Sequence, residues 1–245
     1  MPEPSQEELM QTVFGAQYRA ASKNALTRLP TLRRPDQMRF YLVKPVASKV
    51  LDTGVAVLLA QSDYAQQNTE DDREVIEDEA LFNAYLLRRT AGNWEVLQRR
   101  ENFMIRGESS GPGSILFPML NAGEQGLAVV SKLANDGCPS QTLYLFDLTE
   151  QPIREITGGI AIGWTSASRC GDAEGAPEQY TGSKWHLSPS KAKGAAYHDV
   201  VVVSVTETIK QIGPGENDFV STKGKKVTTR YAYDGKQFKP VPAGR

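Results

Sequence analysis

The pattern of apolar and polar positions predicts a chain built mainly from β-strands. Residues 80–103 show it most clearly: an apolar segment at 81–88 precedes Ala91, Gly92 and Asn93, and residues 94–100 then alternate in part between apolar and polar side chains. Gly and Asn tolerate positive φ, so the residues between the two segments suit a tight turn. The stretch therefore predicts a β-hairpin.

Two further hairpins are predicted downstream, from residues 142–148 with 153–157 and from residues 227–233 with 237–241. With the strand that precedes each hairpin, they define about three antiparallel meanders, at 50–103, 114–157 and 199–241. We expect these units to form one all-β domain over 38–245, arranged as a sandwich or like the blades of a propeller. Residues 62–79 and 158–190 are predicted to be long irregular segments.

The N-terminal region has a different period. Ser5 is followed by Glu8 in the form of a capping box, and apolar residues recur from Leu9 to Leu26 at three- and four-residue spacing. This pattern predicts a helix over 5–29, ended by Pro30, and a linker over 31–37. The predicted division of the chain is thus a helix with its linker over 1–37, followed by the β domain.

Composition narrows the classes of function. The chain has 245 residues, of which 23% are charged, and its net charge is −1. A near-neutral balance argues against a dedicated nucleic-acid-binding protein, which normally carries a strongly basic surface. No apolar run approaches the roughly 18 residues that a membrane-spanning helix needs.

The two cysteines, Cys138 and Cys170, both lie in polar segments rich in turn residues. Such positions favour one disulfide between them, and disulfides persist in oxidising compartments. The alternative is two unrelated thiols. The residues at 231–238 also resemble the closing hairpins of many bacterial cell-envelope proteins. We therefore expect a periplasmic or secreted protein whose leader is absent from this sequence, with a cytoplasmic protein as the alternative.

Motifs for catalysis are sparse. Residues 107–111 match G-x-S-x-G with Ser109 as the serine, but Pro112 and Gly113 directly afterwards are a poor start for the helix that this motif requires. Only two histidines are present, His186 and His198, and no zinc-binding or nucleotide-binding spacing occurs. We expect no metal and no cofactor.

Two stretches are candidate binding surfaces for another protein. The acidic stretch before the first hairpin could attract a basic partner electrostatically, through Asp71, Asp72, Glu74 and Glu77. It lacks the spacing of a calcium-binding loop. The stretch between the second and third hairpins contains Trp164, Arg169 and Trp185, and Trp and Arg are enriched in binding hot spots.

These observations predict a non-enzymatic protein-binding module of the bacterial cell envelope, for example an inhibitor or immunity-type protein that caps an enzyme with a basic rim. A hydrolase that uses paired carboxylates or Ser109 on polysaccharide or ester substrates is one alternative. A structural envelope protein is another.

Overall fold

The computed structural model describes residues 3–32, 34–65, 75–105, 113–135, 138–149, 152–166, 178–212 and 219–242. The chain is mainly β, with antiparallel sheets and one N-terminal α-helix, as predicted. It divides into two compact units, Met1–Glu108 and Ser109–Arg245, which we describe one at a time. The predicted single domain over 38–245 stays a prediction.

Unit 1 contains the helix and a six-stranded sheet in which strands adjacent in sequence pair antiparallel. Its elements are α1 (Gln6–Phe14), β1 (Tyr18–Arg19), β2 (Asn24–Pro30), β3 (Met38–Val50), β4 (Ala56–Ala65), β5 (Val75–Thr90) and β6 (Asn93–Ile105). Two single-turn 3₁₀ helices lie at Gly15–Gln17 and Ala20–Ser22. The turn between β5 and β6 has positive φ at Ala91 and Gly92, which confirms the predicted hairpin.

Helix α1 supplies one side of the unit 1 core. The Ser5 hydroxyl accepts a hydrogen bond from the Glu8 backbone N–H at 3.1 Å, which confirms the predicted N-cap. The four apolar residues Leu9, Met10, Val13 and Phe14 are buried against side chains of the sheet. At the other end of the helix, Arg99 on β6 donates to the Val13 carbonyl at 2.8 Å and so stabilises the C-terminal turn.

The predicted length of this helix, 5–29, is wrong. The helix ends at Phe14 because Gly15 adopts a positive φ of 54°, which breaks the helical path. Beyond it, Ala25, Thr27 and Leu29 are buried while their neighbours are more exposed. That period of two belongs to β2, and the pairing of β2 with β3 overrides the weak helical spacing of the segment.

Unit 2 contains a second antiparallel sheet of ten strands. They are β7 (Ile115–Leu116), β8 (Gly126–Asn135), β9 (Cys138–Asp147), β10 (Arg154–Glu155), β11 (Ile160–Ser166), β12 (Glu178–Ser188), β13 (Asp199–Gln211), β14 (Phe219–Lys223), β15 (Val227–Tyr233) and β16 (Phe238–Pro240). Its core is largely aliphatic, with Val130, Leu143, Leu145, Ile160 and Val200 among its buried members, and it also includes Tyr197 and Phe238.

The predicted irregular segment 158–190 is largely wrong, since it contains β11 and β12. Strand β12 pairs with the valine-rich β13 along its whole length, from Glu178 opposite Ile209 to Ser188 opposite Asp199. Together, β11 and β12 join the second and third meanders into one sheet, because β11 pairs with β9 and β12 pairs with β13. A strand with mixed polarity can form here because its partner supplies the apolar surface and the hydrogen-bond ladder.

The predicted loop at 62–79 is also shorter than expected. Strand β4 runs to Ala65, and β5 begins at Val75. The backbone at Glu77 and its acidic neighbours therefore lies within a strand. The register of β4 against β5 shifts between Ser62 and Tyr64. The acidic composition of the stretch predicted a loop, whereas pairing with β4 makes a strand of the residues from Val75 onward.

Candidate functional site

A buried polar cluster lies within unit 2 around Tyr197. The Tyr197 hydroxyl donates to the Asp147 carboxylate, and the Arg154 guanidinium donates to the Tyr197 oxygen at 3.5 Å. The Asp147 carboxylate also accepts two bonds of 2.7 Å from the backbone N–H and the hydroxyl of Thr149. Burial, followed by the hydrogen bond to Asp147, raises the pKa of Tyr197 above its usual value.

Aromatic rings enclose this cluster. The Tyr197 and Tyr233 rings meet edge-to-face with centroids 4.8 Å apart, and Phe238 packs against both. The Arg154 guanidinium lies 5.9 Å from the centre of the Tyr233 ring. A phenol with a raised pKa and a satisfied carboxylate is a poor acid–base pair at neutral pH, so the cluster serves to connect strands rather than to catalyse.

A shallow pocket of about 370 Å³ lies beside the Tyr197 backbone. The segment 189–198 forms most of its wall and is held in place by the Asn121 amide, which donates to the Ala196 carbonyl at 3.0 Å, and by the His198 N–H, which donates to the Leu120 carbonyl at 2.6 Å. The other side chains that line it are small and uncharged, from Ala122, Pro189, Ser190, Ala192, Ala195 and Ala196. The pocket lacks the converging charged groups of a catalytic centre.

The histidines are not part of a nucleophile–base arrangement in the described structure. His186 is an exposed residue on β12, and His198 is half-buried just before β13. Within the described ranges, neither imidazole forms a hydrogen bond with a serine or a carboxylate. Ser109 of the G-x-S-x-G pattern lies outside the described residues.

The strongest candidate for a binding surface is centred on Trp164. This residue lies within β11, yet its side chain is 41% exposed. Trp164 is opposite Thr181 on β12, and Thr181 is opposite Thr206 on β13. We call the group around this row the Trp164 surface; it consists of Trp164, Thr181, Ser183, Ser204, Thr206 and Val227.

Hydroxyl pairs across the strands organise the Trp164 surface. The Thr181 and Thr206 hydroxyls lie 2.8 Å apart, and the Ser183 and Ser204 hydroxyls repeat this distance one row along. Val227, paired with Ser204, is 57% exposed at the far side. The surface thus combines an indole, an aliphatic side chain and four hydroxyl groups on paired strands, a composition that suits docking of another macromolecule.

The two tryptophans predicted to bind a partner, Trp164 and Trp185, lie in different environments. Trp164 is exposed as a binding residue requires, whereas Trp185 is partly buried against the unit 2 core. Since β12 alternates, Trp185 faces the same side of the sheet as Thr181, but it lies over the aliphatic core. Trp185 thus contributes to packing, and its role in binding stays a prediction. Arg169 lies outside the described residues.

The described residues include only a small part of the predicted acidic surface. Asp71, Asp72 and Glu74 lie outside the described residues, and for Glu77 the structure describes the backbone of β5 alone. Their role in binding stays a prediction. In the described part of the chain, no group of three or more His, Cys, Asp and Glu side chains is placed to hold a metal ion.

Of the two cysteines, Cys138 is the first residue of β9, where it pairs with Asn135. The described residues include no free cysteine. Cys170 lies outside the described residues, so the bridge between Cys138 and Cys170 stays a prediction.

Sequence reasoning missed the hydroxyl pairs of the Trp164 surface. The signal was present in the alternating small polar residues of β12 and β13, at 181, 183, 204 and 206. It could not be interpreted without the register that places the two strands side by side. The partners of Tyr197 had no local signal, since Asp147 is 50 residues away in the sequence.

Comparison of the chain with known protein families, curated proteins and solved structures gives no match. Among the described residues, no helix has both the length and the apolar character needed to cross a membrane.

Proposed function

We propose that the chain is a non-enzymatic protein-binding module of the bacterial cell envelope, of the inhibitor or immunity type, and that the Trp164 surface is its docking surface. The observation that carries the proposal is the 41% exposure of Trp164 in the middle of a paired strand. A large aromatic residue in this position gains little from the fold of its own unit and can gain much from burial against a partner.

The rigidity of the surroundings supports the proposal. Thr181 and Thr206 belong to strands that pair without a register shift over eleven residues. A surface on paired strands needs little ordering when it binds, so little of the interaction energy is lost. The hydroxyl pairs offer donors and acceptors around the indole, as the polar surroundings of a hot spot do.

The compartment is part of the same proposal. It is supported by the two cysteines in polar segments and by the resemblance of residues 231–238 to closing hairpins of envelope proteins. The acidic stretch at 70–79 is proposed as a second contact with a basic partner.

The test is site-specific capture followed by an affinity measurement. Benzoylphenylalanine placed at Ser183 in the full chain should cross-link a partner in envelope extract, and the purified partner is then titrated by calorimetry. We expect Trp164→Ala to weaken binding about 30-fold, the loss of a typical hot-spot residue. If the partner is an enzyme, its inhibition by the chain should weaken by the same factor.

Met38→Ala is the matched control, because Met38 is 45% exposed on β3 of unit 1 and lies outside the Trp164 surface. This variant should change the affinity less than twofold. Equal affinities for the wild type and Trp164→Ala would refute the proposed surface. Chemical turnover of the captured molecule would instead favour the hydrolase alternative.

A further inference from the structure

An open strand edge lies at β14 of unit 2. Among the described residues, β14 (Phe219–Lys223) pairs with β13 alone, so its other edge has no neighbouring strand. Every residue from Val220 to Lys226 is exposed, and the Val220 side chain, the largest apolar one among them, is 45% exposed. An unpaired edge of this kind is a template for the addition of another strand.

The register shows which backbone groups of β14 point outward. The Gly224 N–H donates to the Thr206 carbonyl at 2.7 Å, so these two residues form a hydrogen-bonded pair. In an antiparallel ladder, hydrogen-bonded and non-hydrogen-bonded pairs alternate, which makes Thr222 and Val220 the next residues bonded to β13. The backbone N–H and C=O groups that point away from β13 therefore belong to Phe219, Ser221 and Lys223.

The edge of β14 lacks two features that normally prevent a strand from pairing with another molecule. β14 contains no proline, and it pairs with β13 without a register shift. By contrast β6, the last strand of the unit 1 sheet, has two register shifts against β5, and such bulges distort an edge. Of these two edges, β14 is the more regular one.

The charges around β14 favour one arrangement of two copies. Lysines follow the strand's centre at Lys223, Lys225 and Lys226, and within the described residues they form no ion pair. Two parallel copies would place these lysines side by side, whereas two antiparallel copies place them at opposite ends of the pair. The sequence directly before β14 is acidic, with Glu216 and Asp218 outside the described residues, so the antiparallel order is self-complementary in charge.

We propose that two copies of this chain pair through β14, antiparallel, with Ser221 of one copy opposite Ser221 of the other. The outward backbone groups of β14 then gain hydrogen-bond partners, and the ten-stranded sheet of unit 2 continues into the second copy. The two-fold axis of such a pair is perpendicular to the sheet, so both Trp164 surfaces face the same side. The dimer offers a partner two equivalent docking surfaces, which raises the apparent affinity when both are engaged.

The first test compares two substitutions at Ser221. Proline removes the outward-pointing N–H, which an edge strand tolerates. Alanine is the matched control, because it removes the same hydroxyl, which donates to Glu207, but keeps the N–H. Circular dichroism checks that both variants fold.

The association of each full-length chain is measured by sedimentation equilibrium. A contact between two strands of five residues belongs to the weak class of interfaces, so the wild type should show a monomer–dimer equilibrium between about 5 and about 500 µM. Ser221→Ala should dimerise within twofold of the wild type. Ser221→Pro should dimerise at least about tenfold more weakly, because its edge can no longer complete the hydrogen-bond ladder.

Hydrogen exchange of the wild type needs no variant. The Ser221 and Lys223 amides should become protected as the protein concentration rises, because they are bonded only in the dimer. The Thr222 amide, which bonds to β13, should be protected at every concentration and is the internal control.

A charge reversal tests the antiparallel order. Lys225→Glu/Lys226→Glu places like charges against each other and should weaken the dimer at least about fivefold. Lys191→Glu/Lys193→Glu makes the same charge change at two exposed lysines of the 189–198 segment and should stay within twofold of the wild type.

Several outcomes would overturn the proposed dimer. They are a wild type that remains monomeric up to about 500 µM, Ser221→Pro that dimerises as strongly as Ser221→Ala, and exchange of the Ser221 amide that is independent of concentration. Protection of that amide only after addition of the partner captured through Ser183 would also overturn it, since the occupant of the edge would then be the partner. The proposed role of Trp164 is tested separately, because self-association is measured without any partner.

Discussion

At the scale of single residues, the three tryptophans show how the same type of side chain has different roles in different environments. Trp94 is half-buried against the core of unit 1, and Trp185 packs against the core of unit 2. Trp164 lies beyond the aliphatic core, opposite hydroxyl-bearing residues that cannot cover it. An indole over aliphatic side chains contributes to stability, whereas an exposed indole is available to a partner.

Tyr197→Phe tests the buried polar cluster of unit 2. Removing the hydroxyl deletes a donor to the buried Asp147 carboxylate, so we expect a loss of about 1 to 3 kcal/mol in the free energy of unfolding at pH 7. The measurement is urea denaturation followed by circular dichroism. Thr90→Ala, an exposed change in unit 1, is the control and should cost less than about 0.5 kcal/mol.

We expect Tyr197→Phe also to change how the stability of the protein depends on pH. The folded-state pKa of Tyr197 is raised, so its contribution to stability is fully present below the unfolded-state pKa near 10 and is lost as the pH rises above it. Tyr197→Phe should therefore lose less stability than the wild type between pH 9 and pH 11. Parallel stability curves for the two proteins would contradict this assignment. Tyr85 has a raised pKa as well, mainly from burial and from the nearby Glu101, and is present in both proteins.

At the scale of elements, Asn102 connects β6 to three other strands of unit 1. Asn102 is buried and adopts a positive φ of 46°, at a bulge where the register of β5 against β6 shifts. Its amide donates to the Pro30 carbonyl at the end of β2 at 2.7 Å, and its backbone N–H donates to the Asn83 side chain on β5 at 2.8 Å. The Ser62 hydroxyl on β4 donates to the Asn102 side-chain oxygen.

Asn102→Ala should destabilise the protein by about 2 to 4 kcal/mol. It leaves buried polar groups of β2 and β4 without their hydrogen-bond partner, and it places alanine at positive φ. Asn102→Gly removes the same side-chain bonds without the strain, so it should cost about 1 kcal/mol less than alanine. Chemical denaturation of both variants checks the order. Glu95→Ala, exposed on the same strand, should stay within about 0.5 kcal/mol of the wild type. Equal losses for alanine and glycine would show that backbone strain is unimportant here.

At the scale of the whole molecule, each compact unit has its own core, and each places its charged side chains differently. In unit 1, Arg99 stabilises the helix terminus and forms an ion pair with Glu101 at 3.5 Å. In unit 2, Arg230 forms an ion pair with the buried Asp199, and the side chains of Lys184 and Lys226 are exposed. Recognition of a partner is thus proposed for unit 2, on the Trp164 surface.

The predicted bridge between Cys138 and Cys170 would constrain a loop of a little over thirty residues. In the chain-entropy account, such a loop stabilises the protein by roughly 3.5 kcal/mol. Mass spectrometry of the non-reduced protein after periplasmic expression should show one bridge, and Cys138→Ser/Cys170→Ser should lower the unfolding free energy by about this amount. Two free thiols in the non-reduced protein would refute the bridge and remove its support for an oxidising compartment.

The sequence correctly predicted the turns and caps whose structure depends only on neighbouring residues. The turn at Ala91 and Gly92 and the cap at Ser5 follow from the chemistry of a few neighbouring residues, and both are present. The extent of α1 and the strand character of 158–190 were mispredicted. In both cases pairing with a distant strand, β3 for residues 24–30 and β13 for residues 178–188, overrode the local pattern.

By itself the sequence determined the class of fold and the three meanders, because strand period and turn chemistry are local properties. Only the tertiary structure decided that β11 and β12 join two meanders into one sheet. It also decided that Trp164 is exposed while Trp185 packs against the core of unit 2. The register between strands brings remote residues together, and the pattern along a single strand contains no information on which partner will lie beside it.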